Sequence, residues 1–242
     1  MPGRPAFSVS EAIRVGWKTA WAHLGYFISA MMVAGIPLLV LMALQIPVSL
    51  ELMVRPNLFL HVANFVLSLV SNIVMLILQM GMMYVTLEIL RGKRPTVRDV
   101  FSCWRYTLPC IGATIVYGFL CLAGYLLLLV PGIILSLGMF FYSILVFDRE
   151  DGPLEALKES WEMTRGYKWK LFVLLLALGL INLLGALPLL LGWTITFPLS
   201  IVAVAYAYEQ LSGNGRSPEA LEAPASSPGL PGMQPPPPIT PG

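Results

Sequence analysis

Charged residues are absent from four long stretches of this 242-residue chain, at positions 19–50, 56–87, 106–147 and 171–208. Asp, Glu, Lys and Arg make up only 12% of the sequence and hydrophobic residues 57%, whereas soluble domains average about 25% charged residues. Each uncharged stretch is longer than the roughly 20 helical residues that cross a hydrocarbon core. The composition therefore excludes a soluble domain with one modest core, and it predicts an all-α, polytopic helical membrane protein.

Residues that commonly carry chemistry are scarce as well. The chain has two His and three Cys, and no CxxC or Cys/His spacing typical of metal ligands. The predicted spans hold no acid, Lys or Arg, and no HExxH, Ser-Lys pair or P-loop is found. Buried ionisable groups, the usual mark of proton coupling, are missing too. We therefore expect no enzyme, no cofactor and no metal, and we expect no nucleic-acid partner.

The uncharged stretches predict about six transmembrane helices. The first two hold one helix each, while the third and fourth, with 42 and 38 residues, are long enough for a hairpin each. Turn signals at Pro131-Gly132 and at Gly192 divide these two stretches. The second arms, residues 133–147 and 194–208, are short for a full crossing, so re-entrant half-helices are the competing interpretation.

The distribution of basic residues predicts the orientation. With six spans, 14 of the 15 Lys and Arg residues fall on one side and only Arg55 on the other. Basic residues near spans favour the cytoplasm, so both termini are expected there, with the protein in a bacterial inner membrane. Residues 1–210 form the predicted membrane domain. Residues 211–242, rich in Pro and Gly, are predicted to be a disordered cytoplasmic tail.

A short helix-start pattern precedes each helical pair, at residues 8–18, 96–105 and 152–162. Each copy has a helix-start signal, an acid in the first turn and a Trp one to two turns later. Ser8 with Glu11 predicts a capping box, and Thr96 with Asp99 a weaker one. One face of the first helix is predicted to hold Ala12, Ile13, Gly16, Trp17, Ala20 and Trp21.

We interpret these segments as amphipathic helices lying in the plane of the cytoplasmic surface. The pattern then describes three copies of one unit, an in-plane helix followed by a membrane hairpin. The alternative explanation is coincidence: similar residues would recur only because each segment lies at the membrane interface.

Two polar features are candidate sites. The second predicted span carries a stripe whose members are Asn64, Ser68, Ser71 and Asn72. The stripe either forms hydrogen bonds that hold neighbouring helices together, which we favour, or lines a polar groove.

The loop at residues 148–170 holds six acids and five bases. Its first acids are Asp148, Glu150 and Asp151. No His lies near them and their spacing is not that of an EF-hand, so they are predicted to be solvated residues at the start of a helix rather than a metal cluster. Bases and aromatic residues between positions 161 and 170 are suited to anionic lipid headgroups.

The region from about residue 108 to 211 resembles the membrane domain of bacterial glycerophosphodiester phosphodiesterases and their small stand-alone relatives of unknown function. The resemblance rests on a Pro-Gly turn, then a Glu-Ala-Leu, Ser and Arg-Gly segment before the next hairpin. The residues that carry it are Pro131, Gly132, Glu155, Ala156, Leu157, Ser160, Arg165 and Gly166. For them it implies the structural roles of turn, helix start, packing and helix stop. The catalytic barrel of those phosphodiesterases has no counterpart in this chain, so the resemblance implies a membrane module without an enzyme.

These observations lead to two functional hypotheses. The first is a non-enzymatic membrane module that organises lipids or protein partners, self-association included. The alternative is a permease for a small or lipidic substrate that uses the stripe from Asn64 to Asn72 as part of its path.

Overall fold

A computed structural model describes residues 8–186 and 192–213 of the chain, and these residues form helices joined by short turns, without strands. The α-helices are α1 (Val9–Ala22), α2 (Leu24–Val54), α3 (Leu58–Leu90), α4 (Thr107–Leu127), α5 (Leu129–Gly138), α6 (Tyr142–Asp148), α7 (Pro153–Met163), α8 (Lys168–Ala186) and α9 (Trp193–Ser212). A 3₁₀ segment, Val97–Tyr106, leads directly into α4. The all-α prediction is confirmed. The predicted tail lies outside the described residues except for its first three positions.

Five helical stretches are long and apolar enough to cross a membrane. They are Leu24–Val54, Leu58–Leu90, Val97–Leu127, Leu129–Asp148 and Lys168–Ala186. The structure is therefore compatible with a multi-pass membrane protein. Helix α9 has 20 residues but is not among the five, because its sequence is less apolar than theirs.

The second hairpin differs in detail from its prediction. The chain reverses at Leu128, whose backbone is extended, so the turn lies three residues before Pro131. Pro131 and Gly132 instead occupy the first turn of α5, where proline removes no helical hydrogen bond. The arm predicted at residues 133–147 is two helices, because the α-helix is interrupted at residues 139–141 between α5 and α6.

The three segments that precede the hairpins pack in a cyclic order. Helix α1 packs on α9, the 3₁₀ segment packs on α3, and α7 packs on α6 and α4, with a smaller contact to α5. Each leading segment therefore covers the returning helix of a different hairpin, and the order closes on itself. Three copies of one unit would produce this arrangement, in which every hairpin is held by the next unit along the ring.

Small residues mark each of these contacts. A Cβ placed on Gly16 of α1 would lie 2.9 Å from the carbonyl oxygen of Leu199 in α9. A Cβ on Gly81 of α3 would meet the backbone of Val100 in the 3₁₀ segment, and one on Gly138 would meet the ring of Trp161 in α7. Glycine at these positions lets the leading segment approach the returning helix closely.

Burial divides the molecule into a compact layer and an exposed hairpin. Nearly all of α9 from Leu199 to Leu211 is buried, as is much of α3 from Leu78 to Leu90. In contrast, no residue between positions 35 and 77 is buried. At about 1.5 Å per residue, the 33-residue α3 is about 50 Å long, well beyond a hydrocarbon core of about 30 Å. The second half of α3 is the part that other helices bury, so it belongs to the compact layer, whereas the first half belongs to the exposed hairpin.

Two predictions about helix starts and faces are corrected. Ser8 makes no side-chain capping bond to α1, and the box forms instead at Thr96, whose backbone N–H donates to Asp99 Oδ2 at 2.7 Å. On α1, Trp17 and Trp21 are about half exposed and do not share the buried face. Their bulk would not fit where Gly16 meets α9, so the rings turn outward.

Candidate functional site

The ends of three helices from different hairpins meet in a buried ion triad. Arg91 follows the last residue of α3, Asp148 ends α6, and Glu209 lies in the last turn of α9. The Arg91 guanidinium donates to both Asp148 carboxylate oxygens, from Nη1 at 2.6 Å and from Nη2 at 2.9 Å. Its Nε donates to Glu209 Oε1 at 2.8 Å. One arginine therefore joins two carboxylates from two other hairpins.

The triad is largely shielded from water. The side chains of Asp148 and Glu209 are 9% and 7% exposed, and that of Arg91 is 29% exposed. The Tyr208 hydroxyl also donates to Asp148 Oδ2 at 2.7 Å. Hydrogen bonding to Asp148 raises the pKa of Arg91 above its ordinary value, so the guanidinium stays charged. Bidentate arginine–carboxylate pairing is the strong, geometrically specific form of such a contact.

The prediction of a solvated Asp148 is therefore wrong, and the triad was not foreseen. A signal was present in the sequence, because Asp148 and Glu209 are the first charges after the third and fourth uncharged stretches, and Arg91 is the first base after the second. The predicted topology had already placed all three at one end of the spans. A charge at the end of a buried helix is satisfied best by an opposite charge beside it, and this requirement favours pairing Arg91 with the two acids.

The triad can perform a structural task but supplies no obvious nucleophile. Removing one member of a buried ion pair costs about 3–5 kcal/mol because the remaining charge stays desolvated. Asp148 and Glu209 both pair with the Arg91 guanidinium, so losing Arg91 would remove a compensating charge from both buried carboxylates. The triad thus couples the three hairpins to one another at this end of the bundle.

Ser160, one of the residues that carry the family resemblance, lies at the interruption between α5 and α6. Ser160 Oγ accepts from the backbone N–H of Phe141 at 3.1 Å and donates to the carbonyl of Gly138 at 3.2 Å. Thr164 Oγ1 donates to the same carbonyl at 2.8 Å. The interruption leaves these backbone groups without helical partners, and α7 supplies partners for them. Lys168 Nζ lies over the Trp161 ring beside Gly138.

The other residues of that motif have simple placements. Gly152 caps α7, and its N–H donates to Glu155 at 3.3 Å. Ala156 and Leu157 are buried. Arg165 is exposed, and Gly166 follows with φ at +87°, a left-handed conformation that favours glycine at a helix end.

The polar stripe of α3 lies partly on the side that faces α2 and partly on the exposed side of the helix. Gln45 Nε2 of α2 donates to Ser68 Oγ at 2.7 Å, a bond between the two helices of the hairpin. Ser71 bonds only within α3, and Asn72 is exposed. The Oδ1 atom of Asn64 is buried without a hydrogen-bond partner among the described residues. The stripe thus contributes one bond across the hairpin, and its other members do not converge on one point.

The remaining acids and the cysteines do not form a metal site in the described part of the chain. Glu150 accepts a hydrogen bond from Tyr106 Oη, and burial raises the pKa of Asp151. Residues 8–186 and 192–213 contain no group of three or more His, Cys, Asp and Glu that could hold a metal ion. All three cysteines are free and buried, and they behave as small core residues.

Comparison with known proteins gives a family but no activity. No curated protein and no solved structure matches the chain. The family described as "Domain of unknown function (DUF7847)" matches residues 27–235. That range begins within α2 and takes in the exposed hairpin and all three members of the triad. The chain belongs to this family of unknown function.

Proposed function

We propose that the protein is a non-enzymatic integral membrane module that organises lipids or protein partners in a bacterial inner membrane. The observation that carries this proposal is the ion triad, because the charged groups at its centre are all engaged with one another. Arg91, Asp148 and Glu209 serve to hold three hairpins together, and the surface left outside the triad is mostly apolar helix. With these charged groups paired inside the bundle, the protein offers mainly apolar helix surface for contact with lipids or other proteins.

We further propose six crossings, with α9 as the sixth and both termini in the cytoplasm. The meeting of α3, α6 and α9 at the triad supports this topology, because six crossings place those three helix ends on one side. The 3₁₀ segment and α7 then lie at the cytoplasmic interface, where Trp104 and Leu154, 70% and 67% exposed, would contact headgroups. Kinship with the phosphodiesterase membrane domains is part of the same proposal, and it rests on the Pro-Gly turn and the Glu-Ala-Leu, Ser and Arg-Gly segment of the sequence.

The topology can be tested with single added cysteines, since the native ones are buried. In spheroplasts, a membrane-impermeant maleimide is expected to label Arg55→Cys from outside. It is expected to label Arg94→Cys, an exposed position just beyond α3, only after permeabilisation. Labelling of both from outside, or the reverse pattern, would contradict the proposed sidedness.

The functional proposal can be tested by purifying the full-length protein in native-lipid nanodiscs and identifying bound lipids and proteins by mass spectrometry. We expect a stoichiometric protein or an enriched anionic lipid. Arg165→Gln is expected to reduce the lipid at least severalfold, since an exposed cation beside headgroups contributes about 1 kcal/mol. Arg165→Lys, which keeps the positive charge at this exposed position, is the matched control and is expected to retain the lipid. Bulk lipid composition with no partner would reject the module.

One observation favours the permease as a second candidate. The buried, unpartnered Oδ1 of Asn64 is a costly group to leave unsatisfied inside a membrane protein, and a polar cargo would satisfy it. The same mass spectrometry separates the two functions. An enriched small molecule that is lost in Asn64→Leu would favour the permease over the module.

A further inference from the structure

Two amide side chains lie on the exposed surface of α3, which is otherwise apolar there. Asn72 and Gln79 are seven residues apart and both are exposed, so they lie on the same side of the helix. Asn72 Nδ2 donates to the Ser68 carbonyl of its own helix at 2.7 Å. Gln79 makes no side-chain hydrogen bond among the described residues. If α3 spans the membrane, Asn72 faces hydrocarbon with part of its hydrogen-bonding capacity unused.

The amides belong to a continuous stripe with the spacing of a helix-packing seam. Its exposed members are three or four residues apart, and they are Val62, Phe65, Leu69, Asn72, Met75 and Gln79. The four apolar members are each more than half exposed. Residues repeating at this interval form the contact face of paired helices, and a polar residue in such a face fixes the register of the pair.

Two other amides in the spans use their NH₂ groups to bond to a neighbouring helix. Gln45 of α2 is half-buried and donates to Ser68 of α3 at 2.7 Å. Asn182 of α8 is also half-buried and donates to Ser200 of α9, again at 2.7 Å. Both amides bond to a neighbouring helix, as expected where no water is at hand. Asn72 has no neighbouring helix in the described chain on its side of α3.

We infer that this face of α3 binds the same face of α3 in a second copy of the chain. All copies insert with the same orientation, so in a two-fold dimer each residue of the seam meets its own counterpart at equal depth. An amide is both donor and acceptor, which makes Asn72 complementary to itself, whereas an acid or a base would repel its copy. The exposed hairpin, residues 35–77, is free to make this contact because no described residue there is buried.

This inference rests on the proposed membrane placement and narrows the protein partner of the proposed function to a second copy. Its test is the dimerisation of full-length protein diluted in lipid vesicles, measured by single-molecule photobleaching. Asn72→Leu is expected to weaken the dimer about tenfold, which corresponds to about 1.4 kcal/mol of interhelical hydrogen bonding. Asn72→Gln is expected to retain most of the affinity. Val70→Leu, on another part of the exposed surface of α3, is the control and is expected to dimerise as the wild type does.

Crosslinking in membranes checks the face independently. Phe65→Cys is expected to form a disulfide-linked dimer under mild oxidation, and Val70→Cys is expected to form little. A monomer at all lipid dilutions, an unaffected Asn72→Leu variant, or equal crosslinking at both positions would overturn the inference. If the nanodisc experiment finds a different protein that crosslinks to Phe65→Cys, the proposed function stands and the second copy is rejected.

Discussion

Arg91→Met is expected to lower the free energy of unfolding by about 3–5 kcal/mol, enough to deplete the folded protein in the membrane. The substitution removes the guanidinium that pairs with Asp148 and Glu209, and both carboxylates are more than nine-tenths buried. Stability is measured by titrating SDS into the purified protein in mixed micelles and following the intrinsic fluorescence.

Arg94→Met is the matched control because Arg94 lies three residues along the same loop and is exposed. It is expected to change stability by less than about 0.5 kcal/mol. Adding Asp148→Asn and Glu209→Gln to Arg91→Met is expected to recover part of the loss, since the neutral side chains cost less to bury. If Arg91→Met unfolds within 1 kcal/mol of Arg94→Met, the triad does not hold the hairpins together.

The sequence was sufficient for the fold class because one strong physical constraint acts on it. Charges are excluded from the hydrocarbon core, so the uncharged stretches mark the apolar helices, and the helix starts near Thr96 and Pro153 follow from local capping chemistry. The same constraint put Arg91, Asp148 and Glu209 at the ends of their helices. Local chemistry does not determine which helix ends meet, because that depends on packing between segments far apart in the chain.

The interruption between α5 and α6 shows a second limit. Nothing in the apolar sequence around Gly138 and Phe141 signals a break, and an unbroken helix was expected there. The signal lies about 20 residues later, where Ser160 and Thr164 sit on the face of α7 that meets the freed backbone groups. A hydroxyl in a short amphipathic helix has many ordinary explanations, so its role becomes visible only when the two segments are seen together.

The cyclic order of packing explains why local contacts have consequences for the whole bundle. Each leading segment is covalently attached to one hairpin and packed on the returning helix of another. A change that displaces the 3₁₀ segment from α3 therefore disturbs both the hairpin it belongs to and the one it covers. This coupling adds to that of the triad, because the packing contacts extend along the helices and the ion pairs act only at their ends.

Gly81→Ala is expected to destabilise the protein by about 3 kcal/mol or more, at the upper end of the cost of overpacking. A Cβ at this position would lie 1.7 Å from the Val100 carbonyl oxygen and 2.5 Å from its carbonyl carbon. These are backbone atoms, so no rotamer change relieves the clash, and the 3₁₀ segment must move away from α3. The movement would expose Val100 and Cys103, both now buried. SDS titration is again the measurement.

Gly118→Ala in α4 provides the control, since a Cβ there meets nothing within 4 Å. Alanine favours a helix interior by about 0.5–1 kcal/mol over glycine, so this variant is expected to be as stable as the wild type or slightly more so. The two substitutions add the same methyl group to a helix, and they differ in what surrounds it. Equal stability of Gly81→Ala and Gly118→Ala would mean that the 3₁₀ segment is not seated on α3, and the cyclic order of packing would then be broken at that contact.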